Sequence, residues 1–308
     1  MRVFVTGVNG QLGHDVVNEL AARGHDVVAS DITPAYAGLD DGTSVTTAKY
    51  IPADITDAAS LDKIISSVMP DCVIHPAGWT AVDAAEDPEN REKVFAVNAK
   101  GTENVALACR KAGCKMIYIS TDYVFDGKGT EPRLPDDESF SPLGVYAESK
   151  LEGELAVKRI LEKYFIVRIA WVFGINGKNF VKTMLSLGKT HPELRVVSDQ
   201  IGTPTYTLDL APLLCDMAQS EKYGVYHATN SGGFISWYDF ACEIFRIAGY
   251  ETKVVPVTTA EYGLSKAKRP FNSRLDKSKL DENGFSQLPD WRDALLRYIE
   301  ELRAKEMI

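Results

Sequence analysis

Short apolar runs alternate with amphipathic stretches over the first 170 residues. Arg2 to Thr6 (R-V-F-V-T) is β-branched and aromatic, which predicts a buried strand. Leu12, Val16 and Leu20 then recur at helical spacing, and Gly24 stands where a helix C-cap would. Asp26 to Ser30 predicts a second strand that ends at Asp31. Residues 33–47 are rich in Gly, Thr, Ser and Asp and read as a loop. Ala48 to Pro52 predicts a short strand, 57–68 a helix, and Asp71 to His75 another buried strand. A helix should run through Val94, Val97, Val105 and Ala108. Lys115 to Ile119 predicts the next strand, and a Gly-, Pro- and acid-rich loop fills Asp126 to Pro142. The following helix carries Tyr146 to Lys150, with Pro142 in its first turn. Tyr164 to Ile169 predicts a sixth strand, closed by Trp171.

This alternation predicts an α/β fold, a doubly wound parallel sheet. Beyond it the pattern loosens. Helices are expected at 207–218, 236–248 and 290–304, and short strands at 194–197, 224–228 and 253–257. The expected division is a dinucleotide-binding domain of Rossmann type over 1–170, to which later segments return. A smaller mixed lobe over 171–308 would bind substrate.

The stretch after the first strand is Gly7-Val8-Asn9-Gly10-Gln11-Leu12-Gly13. Gly7 permits a tight turn, Gly10 lets the backbone approach a pyrophosphate, and Gly13 lets the helix pack close. The helix N-terminus faces the phosphates. Asp31 stands where a carboxylate takes ribose hydroxyls. The alternative is a glycine turn without a ligand. Asp54 and Ile55 could line an adenine pocket, or Asp54 or Asp57 could cap the next helix. Ala77, Gly78 and Thr80 follow a strand end and are candidates to lie against a cofactor. Asn98 could hold backbone or water near the site, or serve packing. His75 reads as a structural strand-end residue.

Ligands of open α/β sheets bind outside the carboxyl ends of strands. Thr121 sits at such an end, where it could bond a substrate oxygen or cap the following turn. Tyr146 and Lys150 are one helical turn apart on one face. An ammonium beside a phenol favours the phenolate, so Lys150 is expected to lower the Tyr146 pKa. Such a tyrosine passes protons to or from a bound oxygen.

Net charge is −9, with acids scattered and no basic run. That argues against nucleic acid and against an anionic membrane surface. The five cysteines form no C-x-x-C pair, so neither a disulfide framework nor a metal is expected. No apolar stretch is long enough to span a bilayer, and the N-terminus runs straight into a strand without a signal peptide. The expected location is the cytoplasm.

The Gly7/Gly10/Gly13 spacing, Thr121 after a strand, and Tyr146-x-x-x-Lys150 resemble the extended short-chain dehydrogenase/reductases. T-G-V-N-G-Q-L-G, S-T-D-Y-V-F-D-G and Y-A-E-S-K-L-E-G-E resemble the dTDP-4-dehydrorhamnose reductase family more narrowly. R-I-A-W-V-F-G, D-Q-I-G-T-P-T and K-R-P-F-N-S-R-L extend the likeness over the whole chain. The resemblance implies reduction of the 4-keto group of a dTDP-sugar by NADH or NADPH, giving dTDP-L-rhamnose. It implies that Tyr146 donates the proton, Lys150 lowers its pKa and binds the nicotinamide ribose, and Thr121 orients the carbonyl. It places Asn9, Gln11, Leu12 and the glycines on the cofactor, and Asp122, Trp171 and Arg269 on the substrate. It also allows a homodimer. Pro76 and Gly78 depart from the alanine run expected there. Asp31 would repel a 2′-phosphate and favours NADH. Two competing functions share these motifs: a sugar-nucleotide epimerase or dehydratase, and a regulatory subunit that binds NADP without turnover. Tyr123 after Asp122 argues against a dehydratase, which usually carries an acid pair there.

Overall fold

A computed structural model describes residues 1–308. Seven strands form the central sheet: β1 (Arg2–Val5), β2 (Asp26–Ala29), β3 (Lys49–Tyr50), β4 (Cys72–His75), β5 (Lys115–Thr121), β6 (Tyr164–Ile169) and, far downstream, Gly224–His227. Their order is Gly224–His227, β6, β5, β4, β1, β2, β3, with every pair parallel. Parallel sheets are covered on both faces, which is why these strands are almost wholly apolar. The order reverses at β1 and β4, and in such sheets the ligand crevice opens there.

One face is covered by α1 (Gln11–Ala22) and by a later helix, Thr207–Gln219. Val16 and Leu20 pack with Leu210 and Leu214 on Val5, Ile74 and Val167. The other face is covered by α2 (Ala58–Val68), α4 (Thr102–Ala112) and α5 (Val145–Ile160), which bury Leu61, Ile65, Val105 and Val157. A separate core lies in the C-terminal part, between α6 (Phe180–Gly188), Trp237–Ala248 and Trp291–Ala304. It contains Val181, Leu185, Phe240, Ile244, Leu295 and Tyr298. Glu193–Val197 and Lys253–Val257 pair in parallel beside it as a second, two-stranded sheet. No helix is long and apolar enough to cross a membrane.

Several elements differ from expectation. The helix through residues 94–108 is α3 (Arg91–Phe95) and α4, joined by a π-helical stretch at Ala96–Gly101. A helical turn, Ser44–Thr47, interrupts the expected 33–47 loop. β5 extends through Thr121, because Ser120 and Thr121 pair with Arg168 and Ile169. The tyrosine helix starts at Val145, so Pro142 lies outside it. Asn179 caps α6, a helix not foreseen, by accepting the Lys182 N–H at 3.0 Å.

A buried ion pair ties α5 to the sheet. Arg168 donates to both carboxylate oxygens of Glu154, at 2.9 and 2.8 Å, and neither side chain is exposed. Burial of two charges is tolerated when the pairing is bidentate and other groups complete it. Here the Pro135 carbonyl accepts a third bond from Arg168 at 3.1 Å.

Candidate functional site: a cleft at the carboxyl edge of the sheet

A cleft of ≈ 880 Å³ opens at the carboxyl ends of the central strands. The glycine loop forms one end. Gly7 has φ +64°, and a Cβ there would lie 2.7 Å from the Ala77 backbone. A Cβ on Gly13 would lie 2.3 Å from the Gly7 carbonyl oxygen. Side chains at either position would fill the cradle or push the helix off the strand. Gly10, at the head of α1, brings no side-chain cap, so the first N–H groups of the helix stay available to a phosphate. This loop therefore fits a dinucleotide on shape as well as charge.

Asp31 closes the loop from β2. Its two oxygens accept the Asn9 N–H at 2.9 Å and the Ile32 N–H at 2.8 Å. Asp54 and Ile55 line the same end. Asp54 accepts from Thr56 N–H at 2.9 Å, and the helix cap is Asp57, which takes the Ser60 N–H at 3.0 Å. Ala77, Gly78 and Thr80 form the adjoining wall.

Asn98 does not line the cleft; it holds the backbone of the adjoining wall, one of the two roles expected for it. Its Oδ1 accepts the Trp79 N–H at 2.7 Å, and its Nδ2 donates to the Trp79 carbonyl at 3.1 Å and to Ser149 Oγ at 3.0 Å. With its amide thus engaged, Asn98 ties the 76–80 wall to α5. His75 is structural, as expected. It is buried between Thr6 Oγ1 at 2.7 Å and Thr102 Oγ1 at 3.3 Å, and burial pushes its pKa down to about 3.

Thr121, Asp122, Tyr146 and Lys150 meet in mid-cleft. Thr121 Oγ1 donates to Asp122 Oδ1 at 3.0 Å and accepts the Tyr123 N–H at 3.2 Å. Burial pushes the Tyr146 phenol above its ordinary pKa, and the nearby Thr121 hydroxyl opposes that shift. Burial pushes Lys150 down to about 7, with Glu154 opposing. Lys150 Nζ donates to the Ile119 carbonyl at 2.7 Å and lies 4.1 Å from the centre of the Tyr118 ring. The expected lowering of the tyrosine pKa by the lysine is therefore corrected. The two share a helix face, but burial dominates the phenol, and the lysine Nζ is turned to the Ile119 carbonyl and is not among the causes of the shift. Burial raises Asp122 to about 6, and its Oδ2 has no partner.

The other wall is aromatic and basic. Trp171 has φ +51°, a conformation that costs a bulky residue on the order of 1 kcal/mol. It stacks on Trp237 with centroids 3.7 Å apart. Arg269 reaches the cleft while bonded to Asp83 Oδ2 at 2.6 Å and to the Tyr123 hydroxyl at 3.2 Å.

A family model described as the RmlD substrate binding domain matches residues 1–304. The chain belongs to this family. Among relatives of this RmlD-family chain, a spore coat polysaccharide biosynthesis protein, SpsK, of Bacillus subtilis (strain 168) is 39% identical, over 97% of each chain. A dTDP-4-dehydrorhamnose reductase structure from Clostridium acetobutylicum is 40% identical, with a TM-score of 0.88 over 98% of this chain and 100% of that one. One from Bacillus anthracis, in complex with NADP, is 39% identical, with a TM-score of 0.87 over 97% and 99%.

Among the lining residues of this RmlD-family cleft that were not assigned to the site from sequence are Tyr123, Lys178 and Trp237. Adjacency to Thr121-Asp122 is a signal for Tyr123. Lys178 follows Gly177 in a turn, which marks the position but not its direction. Nothing local marks Trp237, whose place depends on stacking across the chain.

Proposed function

We propose that this chain reduces the 4-keto group of dTDP-4-dehydro-L-rhamnose to dTDP-L-rhamnose. The observation that carries this reading is the convergence of Thr121, Tyr146 and Lys150 in one cleft with the Gly7–Gly13 cradle. The relatives named dTDP-4-dehydrorhamnose reductase support the choice of sugar nucleotide. Bound NADH or NADPH would supply the hydride to C4. Tyr146 then donates its proton to the C4 oxygen, and its raised pKa keeps that proton in place through the neutral range. Thr121 orients the same oxygen. Lys150 holds a ribose hydroxyl and, with a pKa near 7, returns a proton to the tyrosine side. Arg269 and Lys178 bring positive charge for a pyrophosphate. The unpartnered Oδ2 of Asp122 can accept from a sugar hydroxyl.

Asp31 supports NADH over NADPH, since it would repel a 2′-phosphate and residues 32–39 offer no Lys or Arg to offset it. The test is oxidation of NADH and of NADPH with freshly made dTDP-4-dehydro-L-rhamnose, followed by product analysis. Turnover to dTDP-L-rhamnose is expected, faster with NADH. Cofactor binding without oxidation would overturn the reading and leave a regulatory role. Asp31→Ala should move the NADPH/NADH rate ratio up roughly five- to tenfold, the order expected for removing one half-exposed charge near a phosphate. An unmoved ratio refutes the ribose role.

A further inference from the structure

The helix that carries Tyr146 begins without a cap of its own. Gly144 precedes Val145 and offers no side chain to the first turn. The Val145 N–H instead donates to Glu86 Oε1 at 2.8 Å, from 59 residues upstream. A carboxylate satisfies an orphan N–H at a helix start and is favoured there by the helix dipole. Gly144 is what gives it room. A Cβ at that position would lie 2.5 Å from the same Glu86 oxygen. Gly144 has φ −172°, which any residue adopts, so the need for glycine is space and not backbone freedom.

The turn that presents Glu86 is held from three sides. Ala85 is buried with Val94 and Val145, against the rings of Trp79 and Tyr146. Asp83 accepts the Ala267 N–H at 3.1 Å and pairs with Arg269, and Asp87 pairs with Lys266 at 2.7 Å. Arg91, just beyond, bonds Glu148 on the tyrosine helix at 2.9 Å. One short acidic stretch thus braces the start of α5 against the segment that brings Arg269 to the cleft.

We infer that Glu86 is a positioning residue for the proton transfer: by capping α5 at Val145 it fixes where the next residue, Tyr146, presents its hydroxyl. This rests on the reading of Tyr146 as proton donor. Glu86 acts through position: its carboxylate is bound to the Val145 N–H, and it is not among the groups that shift Tyr146. A small displacement of a reacting group is enough to cost about tenfold to a hundredfold in rate.

The test compares Glu86→Ala, Glu86→Gln and Gly144→Ala with the unaltered chain. The readouts are kcat, KM, NADH affinity and amide exchange over 145–148. Glu86→Ala should lower kcat about tenfold or more, leave NADH affinity within about twofold, and quicken exchange. Gly144→Ala should do the same, because the new methyl displaces the carboxylate. Glu86→Gln keeps the acceptor oxygen and should retain most of the rate and the slow exchange. Unchanged kcat in Glu86→Ala overturns the inference, and so does a Gln variant as impaired as the Ala variant. If the unaltered chain does not oxidise cofactor with the keto sugar, the functional reading fails instead. Exchange then decides alone, and unchanged exchange in both Ala variants overturns the cap.

Discussion

Tyr146 and Lys150 show what a residue gains and loses in folding. Their spacing placed them on one face, and that much was legible from four positions of sequence. Their proton affinities were not, because both depend on burial, that of Tyr146 also on Thr121 and Asp122 from β5 and the turn after it, and that of Lys150 also on Glu154, a turn further along. Tyr146→Phe removes the transferable proton and should cost about a hundred- to ten-thousandfold in kcat, with NADH binding retained. Steady-state kinetics beside a fluorescence titration would check it, and unimpaired turnover would remove the tyrosine from the mechanism. Lys150 makes a second, thermodynamic prediction. Its folded pKa of about 7 lies below the ordinary 10.5. Between those values the unfolded chain holds a proton that the folded chain has released, so this group makes stability rise with pH. Below pH 7 both states are protonated and the full burial penalty applies. Lys150→Met should flatten that rise, as read by urea unfolding at pH 7 and pH 9. Equal slopes in both proteins would mean that the amine is not desolvated as described. The stack of Trp237 on Trp171 had no local signature, since it joins residues from two separate elements.

Elements were legible where one physical demand dominated. Strands buried on both faces must be apolar throughout, and β1, β4, β5 and β6 read that way directly. The glycine turn was equally plain, since only a residue without a side chain fits 2.3 Å from the Gly7 carbonyl. Gly13→Ala should therefore destabilise the chain by about 2 kcal/mol or more and weaken NADH binding at least about tenfold, the loss of one well-placed contact set. Thermal unfolding with and without NADH measures both. A variant that melts and binds as before would show that α1 can shift without cost. Helix ends were less legible. Pro142 looked like a first-turn residue, but the real start at Val145 depends on Glu86 from a different part of the chain. The π-helical stretch at Ala96–Gly101 also lacks a periodic signal, because one extra residue shifts the helical phase without changing composition.

At the scale of the whole molecule, alternation predicted the doubly wound sheet and a return of later segments to it, but not which segment returns or at which edge. Strand Gly224–His227 lies beside β6 at the outer edge of the sheet. Between them in sequence run Phe180–Gly188 and Glu193–Val197, which belong to the other core, and Thr207–Gln219, which covers the sheet. Length and polarity patterns do not say which later strand returns, because a short apolar strand suits either sheet. The return has a consequence for the order in which the protein is made. Synthesis delivers β6 well before its neighbour, so a nascent chain exposes an unsealed row of backbone donors and acceptors from Tyr164 to Ile169 until residue 227 has emerged. Unsealed edges recruit other strands. A chain released at residue 200 should therefore self-associate in sedimentation, whereas one that includes His227 should do so far less. Equal behaviour of the two would mean that the nascent edge is shielded by something other than its own final strand.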